Sequence, residues 1–340
     1  MKKLIFILFL VVPFIGIAQT SSENLKKYWY YRIRLINDFM KVGPDQGESI
    51  PAEVRQINGK IKWGDATMYL GWYIGVLATE YLLLDVYDQN TFRTKKELYY
   101  ALNAYERIDM NAEPLYYDDN GNPGTPTLNG FFIRDDVPAD FLTKNNNENL
   151  AHFNQELTDV SEVNSITSDY IREVSGSDPC IAEMSQDNVY QLLIGFALVN
   201  RFIDDGVTYN GVALKLKARV MADLILKHVR KDNWKIKNPV EGEDVCRGWK
   251  TLSRSFGLAA AGKKITGIGY QNVLSEYWYY IWQLAQTFVN PTSGNNHHKA
   301  VLAAIGDSWR IRLDGTIPKT FCLLCPNSTY QGIANSTAWA

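Results

Sequence analysis

Between Trp63 and Asp88 the chain reads WGDATMYLGWYIGVLATEYLLLDVYD, and from Met68 to Leu84 apolar side chains fall almost all round a helical wheel. That pattern predicts one long helix buried on more than one side. Asp65 stands where an N-cap belongs, because a short side-chain oxygen there can accept from the unpaired N–H groups of the first turn. Gly71, Gly75 and Ala78 form a stripe of small residues. A glycine inside a helix costs about 1 kcal/mol relative to alanine, so two of them predict a neighbouring helix at close approach.

The stretches around this one carry the i, i+3, i+4 pattern of half-buried helices. They are Asn24–Lys41, the run from Thr94 through Leu98, Ala101, Leu102 and Tyr105 to Asp109, and Val212–Val229. A second strongly apolar helix opens at Ser185, as SQDNVYQLLIGFALVNRFID, with Ser185 as its N-cap. Further helices are expected near Thr251–Ala261, over the aromatic segment Asn272–Phe288, and at His297–Ile305. Shifting by 120 residues lays Asp65 on Ser185 and Gly75 on Gly195, so two segments share an N-cap ten residues before a helical glycine. Such an echo fits an array of helical hairpins with buried inner and amphipathic outer helices. The pattern breaks from Asp109 to Glu183. A stretch of that length without helical period exceeds ordinary loops and reads as a functional insertion of turns and short strands. Hairpins are expected only inside it, at turns such as Asp118-Asp119-Asn120-Gly121.

The N-terminus changes the compartment. Lys2 and Lys3, the apolar run Leu4–Ile15 and Gly16-Ile17-Ala18 form a tripartite secretory signal over residues 1–18, with cleavage after Ala18. The mature chain, 19–340, is expected in the periplasm or outside the cell as one domain with its insertion at 109–183. No other apolar run reaches about 18 residues, so no membrane span is expected. Removing Lys2 and Lys3 from 35 basic residues leaves 33 against 37 acidic ones, a net charge of −4. That balance argues against nucleic acid as a partner. In an oxidising compartment Cys180, Cys246, Cys322 and Cys325 are read as structural disulfides, with Cys180–Cys246 and Cys322–Cys325 the preferred pairing of three.

Several motifs fail on context. Gly257–Lys264 has phosphate-loop spacing, but Lys264 stands where Ser or Thr should hold magnesium. Gly306-Asp307-Ser308 resembles the serine block of GDS-type hydrolases, yet no histidine follows His298. The histidines have no metal spacing. Asp118-Asp119-Asn120-Gly121-Asn122 is similar to half of a calcium loop but lacks the bidentate glutamate at the twelfth position. No metal and no cofactor are assigned.

A signal peptide, apolar inner helices opening with Trp63-Gly64-Asp65 or Ser185-Gln186-Asp187, amphipathic partners and 20 Tyr with 9 Trp together resemble secreted (α/α) toroids, the six-hairpin glycosidases above all. The resemblance implies an all-α, toroid-like array of helical hairpins. With about eight helices where a full six-hairpin ring has twelve, the ring is incomplete or the chain truncated. Inner-helix ends line the mouth of such a toroid, which singles out Asp65 and Asp187, although capping alone would also explain aspartates there. Glycoside hydrolysis needs two carboxyl groups about 5–10 Å apart, one as acid and one as base or nucleophile. Asp135 and Asp136, beside Arg134 in the insertion, are the candidates for the opposite side. Trp63, Tyr116, Tyr117 and Trp249, near helix starts or loops, are candidate sugar-stacking side chains, whereas Trp72 and Tyr73 in mid-helix are expected in the core. The expected function is a glycoside hydrolase acting on an oligo- or polysaccharide. A polysaccharide lyase using Tyr116 or Tyr117 with Arg134, and a non-catalytic glycan- or protein-binding protein, are the alternatives.

Overall fold

A computed structural model describes residues 21–40, 50–51, 54–55, 60–62, 65–134, 136–138, 149–152, 155–156, 170–171, 183–232, 234–246, 248, 258, 262 and 265–266. The described part is mostly helical, with little strand, which places the chain in the all-α class. Its helices are α1 (Ser21–Arg34), α2 (Ala66–Val86), α3 (Phe92–Met110), α4 (Gln186–Phe202) and α5 (Leu214–Lys231). A π-turn, Leu35–Phe39, continues α1, and a 3₁₀ turn, Glu113–Leu115, follows α3.

The long apolar segment forms α2, and α2 and α4 make the centre of the core. They run parallel. Thr67 meets Asn188 at one end, Gly71 lies against Gln191 and Gly195, and Gly75 reaches Gly195 and Leu198 further along. The expected small-residue stripe is the reason they can. A Cβ on Gly71 would sit 2.3 Å from the Gln191 carbonyl oxygen, and one on Gly195 would sit 2.3 Å from that of Gly71. Each inner helix is followed by an outer one, α3 after α2 and α5 after α4. Leu98, Ala101, Leu102, Tyr105 and Ile108 of α3, with Leu214, Ala218, Ala222, Ile225 and Leu226 of α5, close the core from outside. The shift of 120 residues between the two apolar segments is therefore the register of two parallel inner helices.

Short strands accompany these helices. β1 (Val54–Arg55) and β2 (Lys60–Lys62) pair antiparallel, and β2 pairs parallel with β4 (Asn149–His152), which pairs with β5 (Gln155–Glu156). β3 (Val137–Pro138) pairs with β6 (Tyr170–Ile171). A further hairpin, β7 (Thr208–Tyr209) with β8 (Val212–Ala213), lies outside the insertion and corrects the expectation that hairpins are confined to it. Asn210 and Gly211, both at positive φ, make its turn, the backbone a two-residue hairpin requires. Helix α5 accordingly begins at Leu214, after the hairpin, and not at Val212.

Trp72 is a second correction. Tyr73 is buried as expected, but Trp72 is 57% exposed, its indole N–H donating to Gln191 Oε1 at 2.6 Å. The expected helices at 272–288 and 297–305 lie outside the described residues. So do Cys180, Cys322 and Cys325; Cys246 is described and is disulfide-bonded.

Candidate functional site

Because α2 and α4 are parallel, their N-termini share one rim, and a single strap, Asn129–Arg134, leads to it. Its residues are held by α2, α3 and α5 and by the turn that follows α3. Gly130, at φ +90°, lets the backbone lie against Leu224 and Ile225 of α5, where a Cβ would come within 2.2 Å of a backbone carbon. Phe131 sits between the Tyr116 and His228 rings, and Phe132 packs edge-on against Tyr105. The Ile133 N–H donates to the Ile108 carbonyl at 3.3 Å. Arg134 is fully buried; its Nη1 donates to Asp65 Oδ1 at 2.9 Å and its Nε to the Glu183 carbonyl at 2.7 Å. The Arg134 carbonyl in turn accepts the Thr67 N–H at 3.0 Å.

Asp65 and Ser185 both occupy N-cap positions, yet neither side chain caps its helix. The strap carbonyl takes over part of that work at α2, which leaves the Asp65 carboxylate for Arg134. At α4 the Ser185 hydroxyl bonds the Asp187 and Asn188 side chains, and Asn188 Nδ2 donates to Thr67 Oγ1 at 2.9 Å. Gln186 is buried beside them, its amide donating weakly to the Trp234 and Gly248 carbonyls. The rim is thus floored by buried polar side chains. Buried polar groups are costly unless bonded, and a connected network of them fixes one geometry.

The sequence candidates that are described stand in different states. Asp65 keeps 31% of its side-chain surface exposed. Asp187 is half-buried. Asp136 is buried, with both carboxylate oxygens engaged by Arg107 at 2.6 and 2.9 Å. Tyr116 is buried and Tyr117 is 55% exposed. Trp63, Asp135 and Trp249 lie outside the described residues.

Two further acids escaped sequence reasoning. Asp109, at the end of α3, is buried and accepts from the Gly130 N–H at 3.0 Å, the Asn129 N–H at 2.9 Å and the Tyr105 hydroxyl at 2.9 Å. Burial pushes its carboxyl up to about 7 in spite of those donors. Glu113, one turn further on, is only 3% exposed and is also held above the usual carboxylate range by burial. Asn129 joins the two, since its side-chain amide donates to Glu113 Oε1 at 2.6 Å. Helical spacing places Asp109 one turn from Glu113, but nothing in that spacing announces burial. His228, expected without metal spacing, is a core residue: burial lowers it to about 4, and its Nε2 meets the Lys237 carbonyl at 2.9 Å.

At the other end of α3 lies a buried charge network. Arg32 of α1 donates to Glu80 Oε2 at 2.9 Å and to Glu97 Oε2 at 2.5 Å. Thr94 and Tyr28 donate to Glu80, and Tyr73 and Arg93 to Glu97. It anchors α1 to the α2–α3 hairpin.

No protein-family model matches this chain, and no curated protein or solved structure matches it.

Proposed function

We propose that the chain is a secreted carbohydrate-active protein, a glycoside hydrolase of toroid-like hairpin architecture acting on an oligo- or polysaccharide at the rim where α2 and α4 begin. The observation that carries this reading is the parallel packing of the two inner helices. Packed helices lie about 8–10 Å axis to axis. Asp65 and Asp187, both beside first turns at one rim, are the carboxyls this reading assigns to a glycosidic pair, which needs a separation of about 5–10 Å. Asp65, ion-paired with Arg134, and Asp187, in the first turn of α4, are the two carboxyls of the pair. Helix N-termini favour negative charge there. The exposed Trp72 indole, about 10 Å into α2 from Asp65 at 1.5 Å per residue, offers a face on which a sugar ring can stack.

The lyase reading loses support, because Arg134 is buried and engaged and has no free face for an acidic sugar. The binding-protein reading has one observation in its favour: Asp136 is closed off by Arg107. The test is reducing-end release from a panel of polysaccharides by the secreted, signal-cleaved chain. Hydrolysis that falls at least 10³-fold in both Asp65→Asn and Asp187→Asn, with circular dichroism unchanged, supports the hydrolase. Saturable glycan binding without product supports the binder. Hydrolysis undiminished in Asp187→Asn overturns this pair.

A further inference from the structure

We propose that the cleft between the Glu113 turn, the 116–124 hairpin and the Pro239–Val240 turn is a calcium site, with Glu113 and Asp118 as its carboxylate ligands. The cleft has a volume of about 340 Å³. It is lined by Glu113, Asp118, Asn122, Thr125, Thr127 and Asn129, along with Pro123, Gly124 and the Pro239–Val240 turn. Its side chains offer carboxylate, amide and hydroxyl oxygens and no imidazole, amine, guanidinium or thiol. All-oxygen donors suit a hard cation, and of the common ones calcium accepts irregular geometry and retained water. A cleft of this volume holds the ion with several waters of about 30 Å³ each.

Charge alone would not make this a site. The pointing observation is Glu113. It is 97% buried by surface, one oxygen accepts from Asn129, and Oε2 has no hydrogen-bond partner among the described residues, while the residue lines the cleft. A buried acceptor without a donor is costly, more so when charged, and a cation is the partner that removes that cost.

The hairpin brings the second carboxylate. Asp118 Oδ1 accepts the Asn120 and Asn122 N–H groups at 2.9 and 2.8 Å and the Asn122 amide at 3.3 Å, while Oδ2 carries a 3.2 Å contact from that amide. Gly121, at φ +77°, closes the turn. Gly124 lets the returning arm lie on the Glu113 turn, since a Cβ there would be 2.6 Å from the Glu113 carbonyl oxygen and 2.5 Å from Val240. The walls are therefore preformed. Asp118–Asn122 lacks the glutamate that a calcium loop carries downstream. Glu113 supplies one from upstream, through the fold.

Calorimetric titration of the chelator-treated, signal-cleaved chain with calcium chloride tests this. The expected dissociation constant is about 10⁻⁴–10⁻³ M, the range of extracellular calcium modules. Glu113→Gln and Asp118→Asn are each expected to weaken it at least tenfold. The second variant, on the exposed hairpin, guards against misfolding of the first. Calcium at 10 mM is expected to raise the melting temperature of the wild type by a few degrees and of each variant by clearly less. No heat and no shift up to 10 mM calcium overturns the site, as does wild-type affinity in both variants. An equal shift with magnesium overturns the choice of ion.

Discussion

Helix α3 buries a pair of carboxylates at each of its ends, and the molecule treats the two pairs in opposite ways. Near its start, Glu97 joins Glu80 of α2 around Arg32, with Arg93, Thr94, Tyr28 and Tyr73 completing the shell. Burial raises the Glu80 carboxyl most, but the guanidinium together with the Thr94 and Tyr28 donors outweighs it and the net shift is downward. At its end, Asp109 and Glu113 are buried with amide and hydroxyl donors but no cation, and both are held above their usual range. A paired buried charge is an anchor that must stay assembled. An unpaired one is a store of unfavourable energy, which a structure keeps where a proton or ligand can relieve it.

Removing the cation from the first pair should have the largest effect. Arg32→Met leaves Glu80 and Glu97 buried without their guanidinium and is expected to destabilise the chain by about 3–5 kcal/mol in urea unfolding. A cost under about 1 kcal/mol would mean that α1 is not anchored there. The second pair should respond to pH. A folded carboxyl near 7 against an unfolded value near 4 means the unfolded chain ionises first as pH rises. Its stabilising contribution is complete below about 4 and is lost as pH rises through about 7. Asp109→Asn removes that loss, so wild type should fall relative to the variant by about 2–4 kcal/mol between pH 4 and 8. A difference that is flat with pH would place the Asp109 carboxyl near its ordinary value.

Asn129→Ala strips Glu113 of its amide donor and should cost about 1–3 kcal/mol, leaving a buried acceptor exposed to nothing. Tyr28→Phe, by contrast, removes one of several donors to Glu80 from a partly exposed helix, and about 1 kcal/mol is expected. If Tyr28→Phe proved the costlier of the two, the paired network would be the less redundant one and the comparison would reverse.

Much of this framework was legible in the residues. Gly71 and Gly75 announced a close helix neighbour, and the offset of 120 residues, which the sequence showed only as an echo between hairpins, is the register of the pair. The strap was legible only in part. Arg134 and Asp136 stood out as charges, but their partners Asp65 and Arg107 lie 69 and 29 residues away, and helical period carries no such information. Asp109 and Glu113 look like the polar end of an amphipathic helix. Their burial comes from the strap folding back through Gly130, a tertiary event. Trp72 misled because α2 is apolar on every face, so its sequence could not say which face stays open. The β7–β8 hairpin did have its signal, Asn210-Gly211 between Tyr209 and Val212, and apolar helical period over Val212–Val229 obscured it.

Side-chain carboxyl titration by carbon-13 NMR tests the contrast between the two ends of α3 most directly. Asp109 should titrate near 7 and Glu80 below the usual glutamate range, in one sample over one pH series. Asp109 titrating near 4, or Glu80 titrating above the usual glutamate range, would contradict the account.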